Sequence, residues 1–378
     1  MANTLSTYDP LFYAQEGLKI LKNALGLAPR VFRGYDRTPR EKGSITSIRI
    51  PGTFTADDAP STEQAIVASE VQVSLDYWRE VKFAATDKDL TISKEELITE
   101  HIEPAVYELA DDIDTTLALL MYRGTPWEVA ASAPADVGDV VACRTRLFNN
   151  KAPMKDDNRH FMVDGTVGGE LLADAAFAQF QGAGQVGADT QIRGTLGTRY
   201  GMTFFENQNV QTHTAGAVTA ATPVIKTTVA AGLKAVIVDC ATLTGDVNIG
   251  DTFTIAGHSQ AYVITADATA ASNEIALAFE PGLEAEATAE DAVVFSQNTG
   301  SQSLAFHRNY CALAMAPLST MGNELGAQIE TVYDPDTNIG LRARKYYVGE
   351  TSKVYVAFDC LYGIKILRPN LCVRFWNA

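Results

Sequence analysis

Several stretches of this sequence carry residue types at spacings that could do chemistry. Gly257-His258-Ser259-Gln260-Ala261 has the outline of a nucleophile elbow, G-x-S-x-G with alanine in the last place. Such an elbow activates its serine only where a strand turns directly into a helix and holds the hydroxyl clear of the sheet. Here DTFTIA precedes and AYVITAD follows, which predicts a β-turn between two strands. A cytosolic hydrolase built on Ser259 stays as the alternative from a different functional class. Gly182-Ala183-Gly184-Gln185-Val186-Gly187 satisfies G-x-G-x-x-G, but a helical run leads into it and no acidic residue is placed for a ribose, so a loop is expected. Asp334-Pro335-Asp336-Thr337-Asn338 opens like a calcium loop, yet Gly340 falls one place late and Lys345 stands where the bidentate glutamate belongs. A solvated turn is expected there. Asp111, Asp112 and Asp114 read as the charged outer face of a helix. The five cysteines, Cys143, Cys240, Cys311, Cys360 and Cys372, are an odd number without a C-x-x-C pair and read as reduced core thiols. The five histidines form no H-x-x-x-H. No metal, no cofactor and no enzymatic activity are expected.

Stepping outward to composition, 378 residues with 46% apolar and 20% charged side chains describe a folded chain of two or three domains. The net charge of −16 argues against a protein whose task is to grip nucleic acid, since that binding is driven by cations replacing counterions on phosphate. The charge is uneven. Residues 1–43 hold seven basic against four acidic side chains, net +3, whereas residues 214–300 hold two lysines against ten acids, net −8. MANTLSTYDP has neither the basic nor the apolar region of an export signal, and no run approaches the ~18 apolar residues of a membrane span, so a cytosolic protein is expected.

The longest element predicted is a helix over Ser93–Met121. Ile98, Ile102, Ala105, Val106, Leu109, Ile113, Leu117 and Leu120 recur at steps of three and four, Ser93 and Glu96 form a capping box, and Pro104 should bend it. Ahead of it, Asp9-Pro10 opens a short amphipathic helix carrying Leu11, Ala14, Leu18, Leu21 and Leu25. Ala28–Tyr35 then reads as an extended basic arm that needs another surface to lie on. Ser44–Pro51 and Ser69–Phe83 alternate as two long strands joined by the polar stretch Gly52–Ala68, a two-stranded ribbon that is marginal alone. Beyond the long helix come a short strand at Thr125–Ala130, a helix at Val137–Leu147, a buried strand at Arg159–Asp164, helical Leu171–Phe180 and a strand at Tyr200–Asn207. From Thr214 to Gly300 short β runs separated by Gly, Asp and Asn suggest an inserted antiparallel barrel or sandwich. Helical and mixed character is expected to resume with Phe306–Leu318, before a β-rich end.

This order resembles that of tailed-bacteriophage major capsid proteins, of the branch that carries an inserted β-barrel domain. The residues that carry the resemblance are GSITSIRIPGTFTADDA, TDKDLTISKEELITEHIEPAVYELADDIDTTL with its internal Pro104, LAFHRNYCALAMAPL and VAFDCLYGIKILRPNLCVRF. The resemblance implies an α+β fold divided into an N-terminal arm (1–43), an extended β-hairpin loop (44–83), a peripheral domain (84–133) with its spine helix (93–121), an axial domain (134–213), the inserted β domain (214–300), and a remainder (301–378) completing axial and peripheral strands. It further implies copies of the chain arranged as hexamers and pentamers in an icosahedral virion shell assembled in the host bacterial cytoplasm. That shell would enclose double-stranded DNA without sequence-specific contacts, with a separate scaffolding protein, a portal and optionally a decoration protein as partners, and no membrane. A cellular nanocompartment shell of the same fold is the nearer alternative.

Candidate residues for contacts between subunits are Tyr77 and Trp78, because aromatics concentrate at interface hot spots, and Arg30, Arg33 and Arg37 of the basic arm. Tyr77 and Trp78 could equally pack within their own subunit. Lys42, Lys82 and Lys88 flank the ribbon, but none lies in Gly52–Ala68, so no covalent Lys–Asn crosslink is expected.

Overall fold

A computed structural model describes residues 10–35, 40–50, 58–59, 63, 69–86, 101–178, 190–320, 327–334, 338–350 and 353–377. In chain order the elements are α1 (Pro10–Ala24), β1 (Phe32–Tyr35), β2 (Ile45–Ile50), β3 (Ser69–Ser74), β4 (Tyr77–Thr86), α2 (Glu103–Arg123), β5 (Glu128–Ala130), α3 (Val137–Asn149), β6 (Arg159–Val163), α4 (Gly165–Ala173), β7 (Thr198–Arg199), β8 (Met202–Glu206) and β9 (Thr212–His213). A run of short strands follows: β10 (Val224–Ile225), β11 (Ala235–Asp239), β12 (Asp246–Val247), β13 (Thr252–Ile255), β14 (Ala261–Ile264), β15 (Ala268–Thr269), β16 (Glu274–Glu280) and β17 (Val293–Ser296). The chain ends with β18 (Gly300–His307), β19 (Cys311–Ala316), β20 (Gln328–Asp334), β21 (Ile339–Val348), β22 (Lys353–Ile366) and β23 (Cys372–Asn377). The fold is α+β. Among the described residues no helix is long and apolar enough to cross a membrane.

Two compact units divide the chain, the first from residues up to Ile113 with Ala312–Leu367, the second from Asp114–Cys311 with Arg368 onward. In the first unit the sheet runs β1-β19-β22-β21-β20, and β4 lies antiparallel to β22 from Tyr77 opposite Tyr362 to Thr86 opposite Lys353. Helix α1 packs on β20 and β21, burying Tyr13, Ala14, Leu18 and Leu21. It sits so close that a Cβ on Gly17 would stand 2.8 Å from Leu341 Cδ2 and 3.3 Å from Phe358. Glycine there costs helix propensity, of order 1 kcal/mol against alanine, and the close approach offsets it. Between Phe32 and Tyr35 the expected arm lies on its own chain. That segment pairs in parallel with β19 of its own chain, Phe32 opposite Ala312 and Tyr35 opposite Met315.

Three expectations are corrected here. Ser69–Phe83 is not one strand: it breaks at Leu75-Asp76, where the Ser74 hydroxyl donates to Asp76 at 2.6 Å, leaving β3 in the ribbon and β4 in the large sheet. Phe306–Leu318 holds no α-helix, only a 3-10 turn at Arg308–Tyr310 between two strands. Its CALAMA run is β19, every residue buried, because a central strand covered on both faces loses the alternation that betrays a strand in sequence. The helical stretch expected over Leu171–Phe180 starts earlier and is broken at Asp174: one helix covers Gly165–Ala173, capped by Asp164, whose carboxylate accepts from the Val167 amide, and a second covers Ala175–Ala178. The long helix is described from Glu103, with His101 and Ile102 in a wider π turn just before Pro104. A proline lacks the amide that would close the regular ladder, which fits that local widening. The capping box at Ser93 and Glu96, the cap at Asp9 and the Gly182–Gly187 loop lie outside the described residues.

In the second unit a seven-stranded mixed sheet runs β5-β23-β18-β6-β8-β7, with β9 beside β18. The stretch 214–300 folds as a six-stranded antiparallel sheet, β10-β11-β16-β14-β13-β17, around a core that includes Ile225, Val236, Val238, Phe253, Tyr262, Leu277 and Phe279. A bridge between Val224 and Ala292 brings its two ends together, so the sheet curls towards a closed barrel. All five cysteines are buried and free.

Candidate assembly surfaces

The ribbon is the first surface. β2 and β3 pair antiparallel from Ile45 opposite Ser74 to Ile50 opposite Ser69. Its base is stitched into the first unit. Val73 and Leu75 are fully buried in a cluster with Ala314, Ala316, Leu318 and Leu361, against which Ile48 packs. Beyond the base the alternation leaves Ser47, Arg49, Glu70 and Gln72 on one side, exposed, and Ile48 and Val71 on the other, half-buried. A two-stranded ribbon is marginal in water without further covering. Asp58, Ala59 and Glu63, from the connecting stretch, are exposed; the rest of Gly52–Ala68 lies outside the described residues.

Tyr77 and Trp78 open β4 and so belong to the large sheet and not to the ribbon. Tyr77 stacks on Tyr362, ring centroids 5.2 Å apart and planes 11° from parallel. Trp78 is 45% exposed, yet its indole N–H donates to Asp359 at 3.1 Å, and the Arg342 guanidinium lies 6.0 Å from its ring. Asp359 has no exposure and also accepts Arg342 Nε at 2.8 Å, while Arg344 lies 3.3 Å away and reaches Glu80 at 2.8 Å. Two acids on neighbouring strands, Glu80 of β4 and Asp359 of β22, are thus matched by two arginines of β21, with an aromatic at their margin. On the opposite face Arg79 pairs with Asp112 at 2.9 Å. The Tyr362 hydroxyl and Asp112 hold the Arg79 guanidinium above its ordinary value against the pull of burial.

The basic candidates are less available than the sequence suggests. Arg30 sits in a 3-10 turn, Ala28–Arg30, with its guanidinium donating to the Gly26 carbonyl, and Arg33 lies within β1. Both hold contacts inside their own chain. Arg37 lies outside the described residues. Of the three helix carboxylates, Asp112 is engaged by Arg79 and Tyr362 and Asp114 is buried, so these residues are not a uniformly solvated face.

In the second unit sequence reasoning missed a buried polar joint. Arg374, from β23, is buried and donates to the Gly250 carbonyl at 2.7 Å, with Glu128 at 3.6 Å. Burial pulls its guanidinium below the ordinary value, which Glu128 opposes. Glu128 also accepts from the Ser296 hydroxyl and, at 2.9 Å, from Asn298. Beside it His213 and Asp251 meet at 2.8 Å, each 4% exposed, and Asp251 accepts the amides of Gly216 and Asn248. The joint fastens the curled sheet to the mixed sheet. Its members are too far apart in the chain for any spacing rule to have found them.

Ser259 lies in the turn between β13 and β14, as expected, and its hydroxyl donates to Glu284 at 2.8 Å. The amides of Ser259 and Gln260 bind the same carboxylate, while His258 Nδ1 faces the Tyr262 hydroxyl at 2.6 Å. The imidazole is therefore not turned to the serine. This is a carboxylate tying down a turn, and the geometry does not favour a hydrolase. Among the described residues no group of three histidine, cysteine or carboxylate side chains could hold a metal.

No family model matches the chain, and no curated protein matches it in sequence. Solved structures resemble it in fold. One titled Mycobacterium phage Che8 is 15% identical with a TM-score of 0.46, covering 94% of this chain and 90% of that one. The mature capsid of bacteriophage PhiM1 is 11% identical with a TM-score of 0.45, covering 92% and 86%. A virus-like particle from Pyrococcus furiosus is 9% identical with a TM-score of 0.41, covering 96% and 97%.

Proposed function

We propose that this chain is the major capsid protein of a tailed bacteriophage, a structural protein whose copies assemble into an icosahedral shell around double-stranded DNA. The observation that carries the reading is the ribbon. Its base is anchored by Val73 and Leu75 with Ile48 packed against them, while Val71, further out on the same face, is left half-covered in a single chain. Another copy supplies what is missing. Repeated heterologous contacts of this kind close into rings, and each can be weak because every subunit makes many. The acidic bulk keeps the shell from gripping the phosphates it encloses. Scaffolding, portal and decoration partners, and assembly in the host cytoplasm before residence in the virion, belong to the same proposal.

Electron microscopy of the purified protein, alone and with its co-expressed phage proteins, tests it. Closed particles of uniform size are expected. A chain that stays a single copy at high concentration in both preparations overturns it.

A further inference from the structure

The mixed sheet of the second unit ends on one side at β5, and among the described residues no strand lies beyond it. The Arg374 amide donates to the Trp127 carbonyl and the Ala131 amide to the Trp376 carbonyl, so alternate residues spend both backbone groups on β23. Glu128 and Ala130, between them, turn theirs to the outer side. An edge of this kind is a template for another extended chain.

Helix α3 packs on this end of the sheet and walls the edge. A groove of about 510 Å³ runs between them, lined by Val129 and by Gly138, Val141, Ala142, Thr145 and Asn149 of the helix. Those five helix positions share one face and none is charged, and Val141 is 38% exposed. Two ionisable residues border the groove, Glu128 and Arg146. Alternation puts the Glu128 side chain on the far face of the sheet, where Arg374, Ser296 and Asn298 occupy its carboxylate. Arg146 is on the near face, its guanidinium 4.2 Å from the centre of the Trp127 ring. Among the described residues it has no ion pair and no side-chain hydrogen bond. Burial pulls it below its ordinary value, and no acid opposes that pull, in contrast to Arg374.

Each feature selects for the same occupant. The strand edge takes an extended backbone, the uncharged helix face takes small or apolar side chains, and Arg146 takes a carboxylate. The groove also has a direction. At its other end Asp139 accepts the Ser132 amide and hydroxyl and Asp136 caps α3, so an acid arriving there meets two carboxylates. The incoming acid therefore belongs at the Trp127 end. The negative end of the α3 dipole opposes it there by less than a charge-assisted hydrogen bond contributes. Two copies of the chain meeting groove to groove would set Arg146 against Arg146, so the surface does not complement itself.

We propose that β5 and α3 form a docking groove for an extended acidic segment of a separate protein, which adds an antiparallel strand to β5 and sets a carboxylate on Arg146. The inference goes beyond the shell reading and does not rest on it.

A fluorescein-labelled peptide, Thr-Val-Thr-Val-Thr-Glu-Thr, tests it by anisotropy with the full chain. Its valines and glutamate share one face, and in antiparallel pairing the glutamate reaches the Trp127 end. The parent should bind it roughly tenfold more tightly than the same peptide with lysine in place of glutamate, the scale of a hydrogen bond to a charged group. Thr145→Glu, at an exposed position beside Arg146, should erase that preference. Ala130→Pro removes one outward amide and leaves the partners of β23 in place, so it should weaken the glutamate peptide severalfold. No binding, or equal affinity of the parent for both peptides, overturns the proposal. A preference that survives Thr145→Glu overturns it too, and this variant keeps the test decisive where Ala130→Pro disturbs folding. Unchanged binding by an Ala130→Pro chain with the circular dichroism of the parent also counts against it. An affinity that falls as the chain is concentrated would put a second copy in the groove, which overturns the assignment to a separate protein. Microscopy of the same samples scores the shell separately, so peptide binding without particles would count against the shell reading alone.

Discussion

The indole N–H of Trp78 donates across strands to the carboxylate of Asp359, 3.1 Å away, and that carboxylate has no exposure to solvent. Two arginines, Arg342 and Arg344, share the same acid. An acid buried beneath two guanidinium groups cannot be neutralised without leaving cations partly uncompensated, and breaking such a pair costs about 3–5 kcal/mol. Asp359→Asn should lower urea stability by that order in the single chain. An unchanged midpoint would show that water or rearrangement compensates the arginines.

Trp78→Ala tests a different balance. Losing one hydrogen bond to a charged group costs about 1.5–3 kcal/mol, less where the donor is half-exposed. If the exposed half of the indole also meets a neighbouring copy, particle yield should fall far more than urea stability does. Equal, modest losses in both measurements would assign Trp78 to its own sheet.

The seat of the ribbon depends on Gly363. A Cβ at that position would fall onto the Ser74 carbonyl oxygen and crowd Val73, so β3 must shift outward to admit it. Gly363→Ala should therefore expose Val73 and Leu75, speed proteolysis between residues 44 and 75, and abolish particles, with α-helical circular dichroism retained. Normal particles from this variant would show that the ribbon tolerates a displaced base.

Asp156 gives a pH test. Burial pushes its carboxyl up, but hydrogen bonds from His307, at 2.7 Å, and Asn158 outweigh it and hold the carboxyl below its ordinary value. A carboxylate with a depressed folded-state pKa binds protons more readily in the unfolded chain. Its stabilising contribution is present above about pH 3.9 and is lost as pH falls through the folded value. Asp156→Asn should cost roughly 0.5–1 kcal/mol near neutral pH, in the range of a partly exposed pair, and the gap to the parent should narrow as the carboxylate is protonated in acid. A gap that stays constant with pH would mean that His307 does not recognise the charge.

Thiol chemistry separates one cysteine from the others. Amides of Thr242 and Thr222 donate to Cys240 and pull its thiol down to about 7, whereas burial pushes Cys143 and Cys360 far up and Cys372 to about 12. Iodoacetamide should label Cys240 first in the folded chain, at a rate rising through pH 7. The other three should react only on unfolding. Labelling of Cys360 at the same rate as Cys240 would contradict this.

How much of this was legible in sequence depended on whether a pattern was local. Ile48, Val71 and Val73 mark the ribbon because they share one side opposite Ser47, Arg49, Glu70 and Gln72, and the helical steps from Ile102 to Leu120 mark α2 because one stripe is apolar. The Leu75-Asp76 break was hidden, since Val71, Val73, Leu75 and Tyr77 keep the same parity through it. β19 was misread for the opposite reason: Ala, Leu and Met favour helices, and a strand buried on both faces has no polar side to set its period. The arrangement around Arg374 had no local signature at all.

β23 lies inside its sheet, with β5 on one side and β18 on the other, and follows both of them in the chain. A nascent chain must therefore hold a vacant slot open between two strands separated by more than a hundred residues until Cys372–Asn377 leave the ribosome. Ribosomal stalling or a premature stop after Leu371 would yield a polypeptide with two raw sheet edges and no Arg374, fit for degradation and not for incorporation. Because the strand that joins β5 to β18 follows both in the chain, a polypeptide cut short before it cannot close this sheet.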